Sequence, residues 1–321
     1  MRGFALALLF VLTALSPSWA DDCSLKEYAS LDMGNVENRV VVPVTIGGKE
    51  FHFMIDTGGV YSSIDEDVVA ALGLRIRPLD TRYFELYNTS GEVAAHYADV
   101  QDFALGPIRL DHFNMIVTDH KPGEKPIVDG VLAPDFLSKV EVDFDFANHK
   151  LNFFSQDHCP GKVVYWSPSS FAEADFKYSF SHIVFMMTLD GHDVETVLDT
   201  GSPRTLISEN FSQRVMGVDE KTPGVESPPD GDDKELIPFG YRFKSLSAGG
   251  LAINNPLIYI LADRVKEAFR KNHNDKQDYD PVYGTNITVP DVILGYNVWS
   301  KLHLFVSYKE RKLYFTPVVP H

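Results

Sequence analysis

VTIGGKEFHFMIDTGGVYSSI (Val44–Ile64) and MTLDGHDVETVLDTGSPRTLI (Met187–Ile207) align without a gap. Thr45 falls on Thr188, Gly48 on Gly191, Ser62 on Thr205, and the two Asp-Thr-Gly triplets coincide, Asp56 on Asp199, at an offset of 143. Each stretch alternates apolar and polar residues, turns at a glycine, and runs through a second apolar segment to the aspartate. That pattern predicts a hairpin whose second strand ends at Asp56 or Asp199. A single Asp-Thr-Gly triplet arises by chance about once in several thousand positions at average composition. A lone copy after a strand reads as a turn. Two copies at equivalent places in a duplicated unit do not read as accident.

The repeat extends further. VDGVLAPDFLSKVEVDFDFANHKLNFF (Val128–Phe154) matches PDVILGYNVWSKLHLFVSYKERKLYFT (Pro290–Thr316), now at an offset of 162. Asp129, Ser138, Lys139, Lys150, Leu151 and Phe153 recur as Asp291, Ser300, Lys301, Lys312, Leu313 and Phe315. FALGPIRL and LSAGGLAI still align at 143, so the second copy carries 19 extra residues between about Leu261 and Pro290. Their polar, turn-rich composition predicts a helix and a surface loop. The expected organisation is a signal peptide over 1–20, an N-terminal extension over 21–37, and two tandem lobes over 38–157 and 162–321. The fold class is mainly β, with the lobes related by a pseudo-two-fold axis and a cleft between them. The acidic segment Glu220–Glu235 has no regular ligand spacing and reads as a solvated loop, and no metal or cofactor is expected.

Composition narrows the setting. Residues 1–20 open with Arg2, run apolar from Phe4 to Leu15, and end Ser18-Trp19-Ala20, the pattern of a secretory signal. The apolar run is short of the roughly 18 residues that span a bilayer, so no stable membrane insertion is expected once it is removed. A secreted or periplasmic location follows. The formal charge of -16 provides no basic footprint for nucleic acid. The 22 Phe and 14 Tyr favour strands. Cys23 and Cys159, in an oxidising compartment, suggest one disulfide, with two buried thiols as the alternative.

Two aspartates on equivalent loops have a chemical use. A peptide carbonyl is a poor electrophile and water a poor nucleophile. One carboxylate takes a proton from water while a second, protonated carboxyl donates to the carbonyl oxygen. Two carboxyls a few ångström apart cannot both ionise easily, so the pair retains a proton. A pseudo-two-fold axis brings Asp56 and Asp199 together. Gly58 and Gly201 are expected to let the backbone turn tightly and aim amides at the carboxyls. Thr57 and Thr200 have hydroxyls placed to brace one loop against the other.

The strand-Asp-Thr-Gly loops, the following Ser62 and Thr205, and the apolar elements VLAPDFL (Val131–Leu137) and ILGYNVW (Ile293–Trp299) resemble aspartic proteases of the pepsin and retropepsin type. The resemblance spans almost the whole mature chain and is nearest to bacterial secreted retropepsin-like proteins, with two copies fused in one chain. It implies a monomeric endopeptidase in which Asp56 and Asp199 activate one water without a covalent intermediate. Polypeptide would lie extended in the cleft beneath a hairpin flap over Tyr83–Ala98. There Gly91 is near the tip, and Tyr83 and Tyr87 either touch substrate or pack on their own lobe. Three features depart from the family pattern. Ala133 stands where glycine is usual, its methyl expected to press on the first loop. Position 59 is Gly where 202 is Ser, so only Ser202 is expected to hydrogen-bond the adjacent aspartate through a hydroxyl. The short stretch before the first strand leads to the expectation of no inhibitory propeptide.

The rival reading is a peptide-binding protein that has kept the fold and lost turnover; fold alone does not separate the two. No H-E-x-x-H pair, phosphate-cradling glycine loop or G-x-S-x-G elbow is present.

Overall fold

The computed structural model describes residues 24–80, 94–120, 125–167, 170–179, 181–228, 234–263 and 290–318. The signal-type segment 1–20, Cys23, the flap residues Tyr83, Tyr87 and Gly91, and most of the segment between Leu261 and Pro290 lie outside them.

The protein is mainly β. The first half supplies β1 (Glu27–Asp32), β2 (Gly34–Val36), β3 (Arg39–Ile46), β4 (Lys49–Ile55), β5 (Ser63–Asp65), β6 (Ile76–Pro78), β7 (His96–Leu105), β8 (Ile108–Thr118), β9 (Gly130–Leu132), β10 (Glu141–Asp145) and β11 (Lys150–Phe154). The second supplies β12 (Ala172–Ser179), β13 (His182–Leu189), β14 (His192–Leu198), β15 (Leu206–Ser208), β16 (Gly240–Arg242), β17 (Ser245–Ala248), β18 (Leu251–Asn254), β19 (Leu257–Leu261), β20 (Val292–Leu294), β21 (Leu302–Ser307) and β22 (Lys312–Pro317). The period-2 pattern explains β3, which buries Val40, Val42, Val44 and Ile46 in the core. Gly47 and Gly48 both have positive φ, 56° and 79°, which suits the tight turn into β4. Asp190 and Gly191 repeat this between β13 and β14, with φ of 47° and 88°.

In the first half β4 pairs in parallel with β9, β9 pairs antiparallel with β5, and β5 pairs in parallel with β8. β8 returns through β7 to β3, closing the sheet on itself. The second half repeats the order: β14 with β20, β20 with β15, and β15 with β19. The positions of β7 and β8 are each divided there, into β16 and β17 and into β18 and β19. The duplicated pattern thus fixes which strand carries each Asp-Thr-Gly loop and which strand it lies against.

A third group of strands does not respect the sequence halves. It runs β1-β11-β10-β21-β22-β12. β10 meets β21 with Val142 opposite Val306, so the boundary near 157–162 is crossed by one continuous sheet. β1, which falls in the expected N-terminal extension, is an edge strand of this sheet, with Leu31 opposite Leu151. Buried polar groups tie it together. Glu141, fully buried, accepts hydrogen bonds from His158 Nε2 at 2.8 Å, Ser307 Oγ at 3.1 Å and the Tyr308 amide at 2.6 Å. Asp143 does the same for His303 Nε2 at 2.8 Å and the Tyr165 hydroxyl at 2.7 Å. Trp166 stacks on His303 at 4.0 Å. Fully partnered, these carboxyls are tolerated in the interior; removing one partner would strand a buried polar group. Cys159, beside His158, is disulfide-bonded.

Candidate active site

β4 and β14 end side by side at the junction of the two halves, each delivering an aspartate. The Asp56 amide donates to the Leu132 carbonyl at 3.0 Å, and the Asp199 amide to the Leu294 carbonyl at 3.1 Å. Each loop is thereby fastened to β9 or β20 at its first residue. The strand entries are fastened too. Asp129 Oδ2 accepts the His52 amide at 2.7 Å, and Asp291 Oδ2 accepts the Glu195 amide at 3.1 Å. The repeated aspartates of the sequence are therefore structural pins under the two loops.

The loops then grip one another. Thr57 Oγ1 donates to the Leu198 carbonyl at 2.7 Å and accepts the Thr200 amide at 3.1 Å. Thr200 Oγ1 donates to the Ile55 carbonyl at 2.7 Å and accepts the Thr57 amide at 3.0 Å. Both threonines are fully buried, so these four bonds lie where water does not compete.

Above the grip the two half-buried carboxyls hydrogen-bond to each other. Asp56 Oδ1 accepts the Gly58 amide at 2.8 Å. Asp199 Oδ1 accepts the amides of Gly201 at 3.0 Å and Ser202 at 2.9 Å. Burial raises the pKa of Asp56 above the ordinary carboxylate value, against the pull of the Gly58 amide. Burial also raises Asp199, and the nearby Asp56 charge raises it further. The arrangement keeps one proton in the pair at a pH where isolated carboxyls have lost theirs.

Gly58 and Gly201 have a different reason to be glycine from the one expected. Neither has positive φ. A β-carbon on Gly58 would stand 2.3 Å from Asp199 Cγ, and one on Gly201 would stand 2.6 Å from Asp56 Cγ. Each glycine makes room for the opposite carboxyl. Ser202 also departs from expectation. Its hydroxyl donates to the Arg204 carbonyl at 2.8 Å, and only its amide serves Asp199. Its carbonyl accepts the Tyr296 amide at 2.9 Å, bracing the loop against the helix Tyr296–Trp299.

Ser62 and Thr205 hold the neighbouring elements. Ser62 Oγ donates to Asp135 Oδ1 at 2.6 Å and accepts the Ala133 amide at 3.0 Å. Thr205 Oγ1 accepts the Gly295 amide at 3.0 Å, while Asn297 Oδ1 accepts the Thr205 amide at 2.6 Å. Ala133 is fully buried and has nearly the backbone of Gly295, φ -112° against -101°.

Two side chains that sequence reasoning missed touch both loops. Arg39 Nε donates to the Gly201 carbonyl at 3.1 Å, and His182 Nε2 donates to the Gly58 carbonyl at 2.9 Å. They too stand at the repeat's offset of 143. The recognised alignment began five positions later, at Val44, and the two are different residue types. Among the described residues, Asp65, Asp67 and His120 have ligand-type atoms within 4.8 Å of one another. Asp65 is the N-cap of the helix Glu66–Leu72, and His120 lies 3.2 Å from Asp67 and 3.6 Å from Asp65. A helix cap and ion pairs account for that cluster.

Residues 42–136 match the model of the family described as aspartyl protease. The matched span contains the first Asp-Thr-Gly loop, Ser62 and Ala133, and it supports a place in the retropepsin-like aspartyl protease family. Among curated proteins, none matches this chain.

Proposed function

We propose that the chain is a secreted or periplasmic aspartic endopeptidase that hydrolyses peptide bonds with a water activated between Asp56 and Asp199. The observation that carries this reading is the pair itself: two hydrogen-bonded carboxyls, Asp56 fed by one backbone amide and Asp199 by two, on loops locked together by Thr57 and Thr200. The ionised member accepts a proton from water as its oxygen attacks the scissile carbonyl carbon. The protonated member donates to the carbonyl oxygen. The tetrahedral diol collapses as the protonated carboxyl gives its proton to the leaving nitrogen, the ionised carboxyl takes one from a diol hydroxyl and the C–N bond breaks, which leaves the pair with one shared proton. Substrate lies extended between the two pseudo-two-fold-related lobes, 38–157 and 162–321, and pairs its backbone with strand edges.

In this reading the hairpin with Tyr83, Tyr87 and Gly91 covers the substrate, and residues 1–20 direct export. Cys23 is the partner of the disulfide-bonded Cys159, and the protein acts as a monomer of the bacterial secreted type. The rival reading, a peptide-binding protein without turnover, rested on Ala133. That methyl is buried beside the loop, and both carboxyls keep their amide donors with it in place. The purified mature protein should therefore cleave an unfolded polypeptide, and Asp56→Asn and Asp199→Asn should each abolish cleavage. Undiminished cleavage by either variant would sink the mechanism.

A further inference from the structure

Arg39 opens β3 and His182 opens β13, and each reaches across to the loop of the other half. Arg39 is held by a second bond, from Nη1 to the Glu37 carbonyl at 3.1 Å, and lies 3.6 Å from the Glu37 carboxylate. What matters is which carbonyls the two side chains occupy. The Gly58 carbonyl belongs to the same peptide group as the Gly59 amide, and Gly59 lies against Asp56, where a β-carbon on it would stand 3.1 Å from Oδ2. The Gly201 carbonyl belongs to the same peptide group as the Ser202 amide, 2.9 Å from Asp199 Oδ1. A donor on an amide's oxygen polarises that amide and makes its N–H a stronger donor. A chain of bonds results from Arg39 through the 201–202 peptide to Asp199, and His182 holds the 58–59 peptide beside Asp56.

We infer that Arg39 and His182 are positioning residues for the Asp56/Asp199 pair, each acting from the opposite half through one peptide group. The two side chains are alike in placement and different in chemistry. A guanidinium is permanently charged. An imidazole facing a carbonyl donates from Nε2 either as the neutral Nε2–H tautomer or as the charged form. Positive charge on His182 also favours the ionised form of Asp56. The pair is thus set between unlike donors, although both loops open on the same Asp-Thr-Gly triplet. The kinetic consequence rests on the catalytic reading above; the structural one does not.

The test reads the amides directly. In 15N-labelled full-length mature protein, His182→Ala should move the Gly59 amide proton upfield and leave Ser202 in place. Arg39→Met should move Ser202 and leave Gly59. His182→Gln, which keeps a donor, should restore much of the Gly59 shift; His182→Met serves as the donor-free comparison if the alanine variant does not fold. On a peptide substrate, each donor-free variant should lose on the order of tenfold in kcat with KM little changed, equivalent to about 1.4 kcal/mol. Unmoved amides in both variants, or a change confined to KM, would overturn the inference. Amide shifts as described in a protein that cleaves no peptide would leave the positioning role standing and refute the proposed activity instead.

Discussion

Gly59 and Ala133 face each other at the first loop: a β-carbon on Gly59 would stand 3.4 Å from that of Ala133 and 3.1 Å from Asp56 Oδ2. The methyl of Ala133 therefore occupies space that a side chain at 59 would contest, and the two departures from the family pattern belong to one contact. Ala133→Gly removes a buried methyl and loosens the backbone. It should cost about 1–2 kcal/mol, from the lost methyl and the added chain entropy. Peptide cleavage should survive, because Ser62 Oγ still accepts the amide at 133. Urea unfolding and a peptide assay on the same preparation check both parts.

The second loop has the opposite requirement. A β-carbon on Gly295 would lie 2.0 Å from the Arg204 carbonyl oxygen and 2.8 Å from the Thr205 nitrogen. Its φ of -101° suits alanine, so space alone forbids the substitution. The contacts are backbone atoms, and Thr205 is fixed on both sides by Gly295 and Asn297. Gly295→Ala should therefore destabilise by about 3 kcal/mol, the upper part of the range for overpacking. Urea denaturation is the measurement, and a midpoint equal to the parent's would show that residues 204–205 give way.

The grip can be tested without changing shape. Thr57→Val keeps the volume and removes the hydroxyl, leaving the Leu198 carbonyl and the Thr200 amide unpaired in the interior. Two stranded groups should cost about 2–5 kcal/mol. Thr57→Ser should recover most of it. A double-mutant cycle with Thr200→Val should be strongly non-additive, since each hydroxyl serves the other residue's amide. Additive costs would mean that the two hydroxyls act independently.

Much of this site was legible because a duplicated sequence states its own alignment. The repeat by itself pairs Asp56 with Asp199, and Thr57 with Thr200. It also pairs Asp129 with Asp291, but does not reveal that each pins a strand entry. Sequence reasoning assigned Gly58 and Gly201 to backbone freedom, because the opposing carboxyl belongs to the other half of the chain and leaves no local trace. Ser202 was expected to use its hydroxyl on the aspartate. A hydroxyl rotates to the best acceptor in reach, and here that is the Arg204 carbonyl. The sheet joining β10 to β21 pairs one strand with its own counterpart in the second copy, Asp143 opposite Phe305 and Phe144 opposite Leu304. Strand alternation announces such strands but not their partners. Arg39 and His182 escaped notice because equivalence of place is not identity of residue.

The carboxyl pair should leave a pH signature on stability as well as on rate. Both aspartates have folded pKa values above the ordinary 3.8. The folded protein therefore holds a proton that the unfolded chain has released, and stability must fall as pH rises from about 4 through the raised values. Asp199→Asn removes one charge while its side-chain oxygen still accepts the Gly201 and Ser202 amides. The variant should melt higher than the parent at pH 7, and the gain should shrink toward pH 4, where the parent pair is protonated. For a chain of this size each kcal/mol gained is worth about 2–4 °C. Thermal melts of both proteins across pH 4 to 8 supply the comparison. A gain that is constant with pH would show that the substitution acts through packing and that the pair holds no extra proton in the folded state.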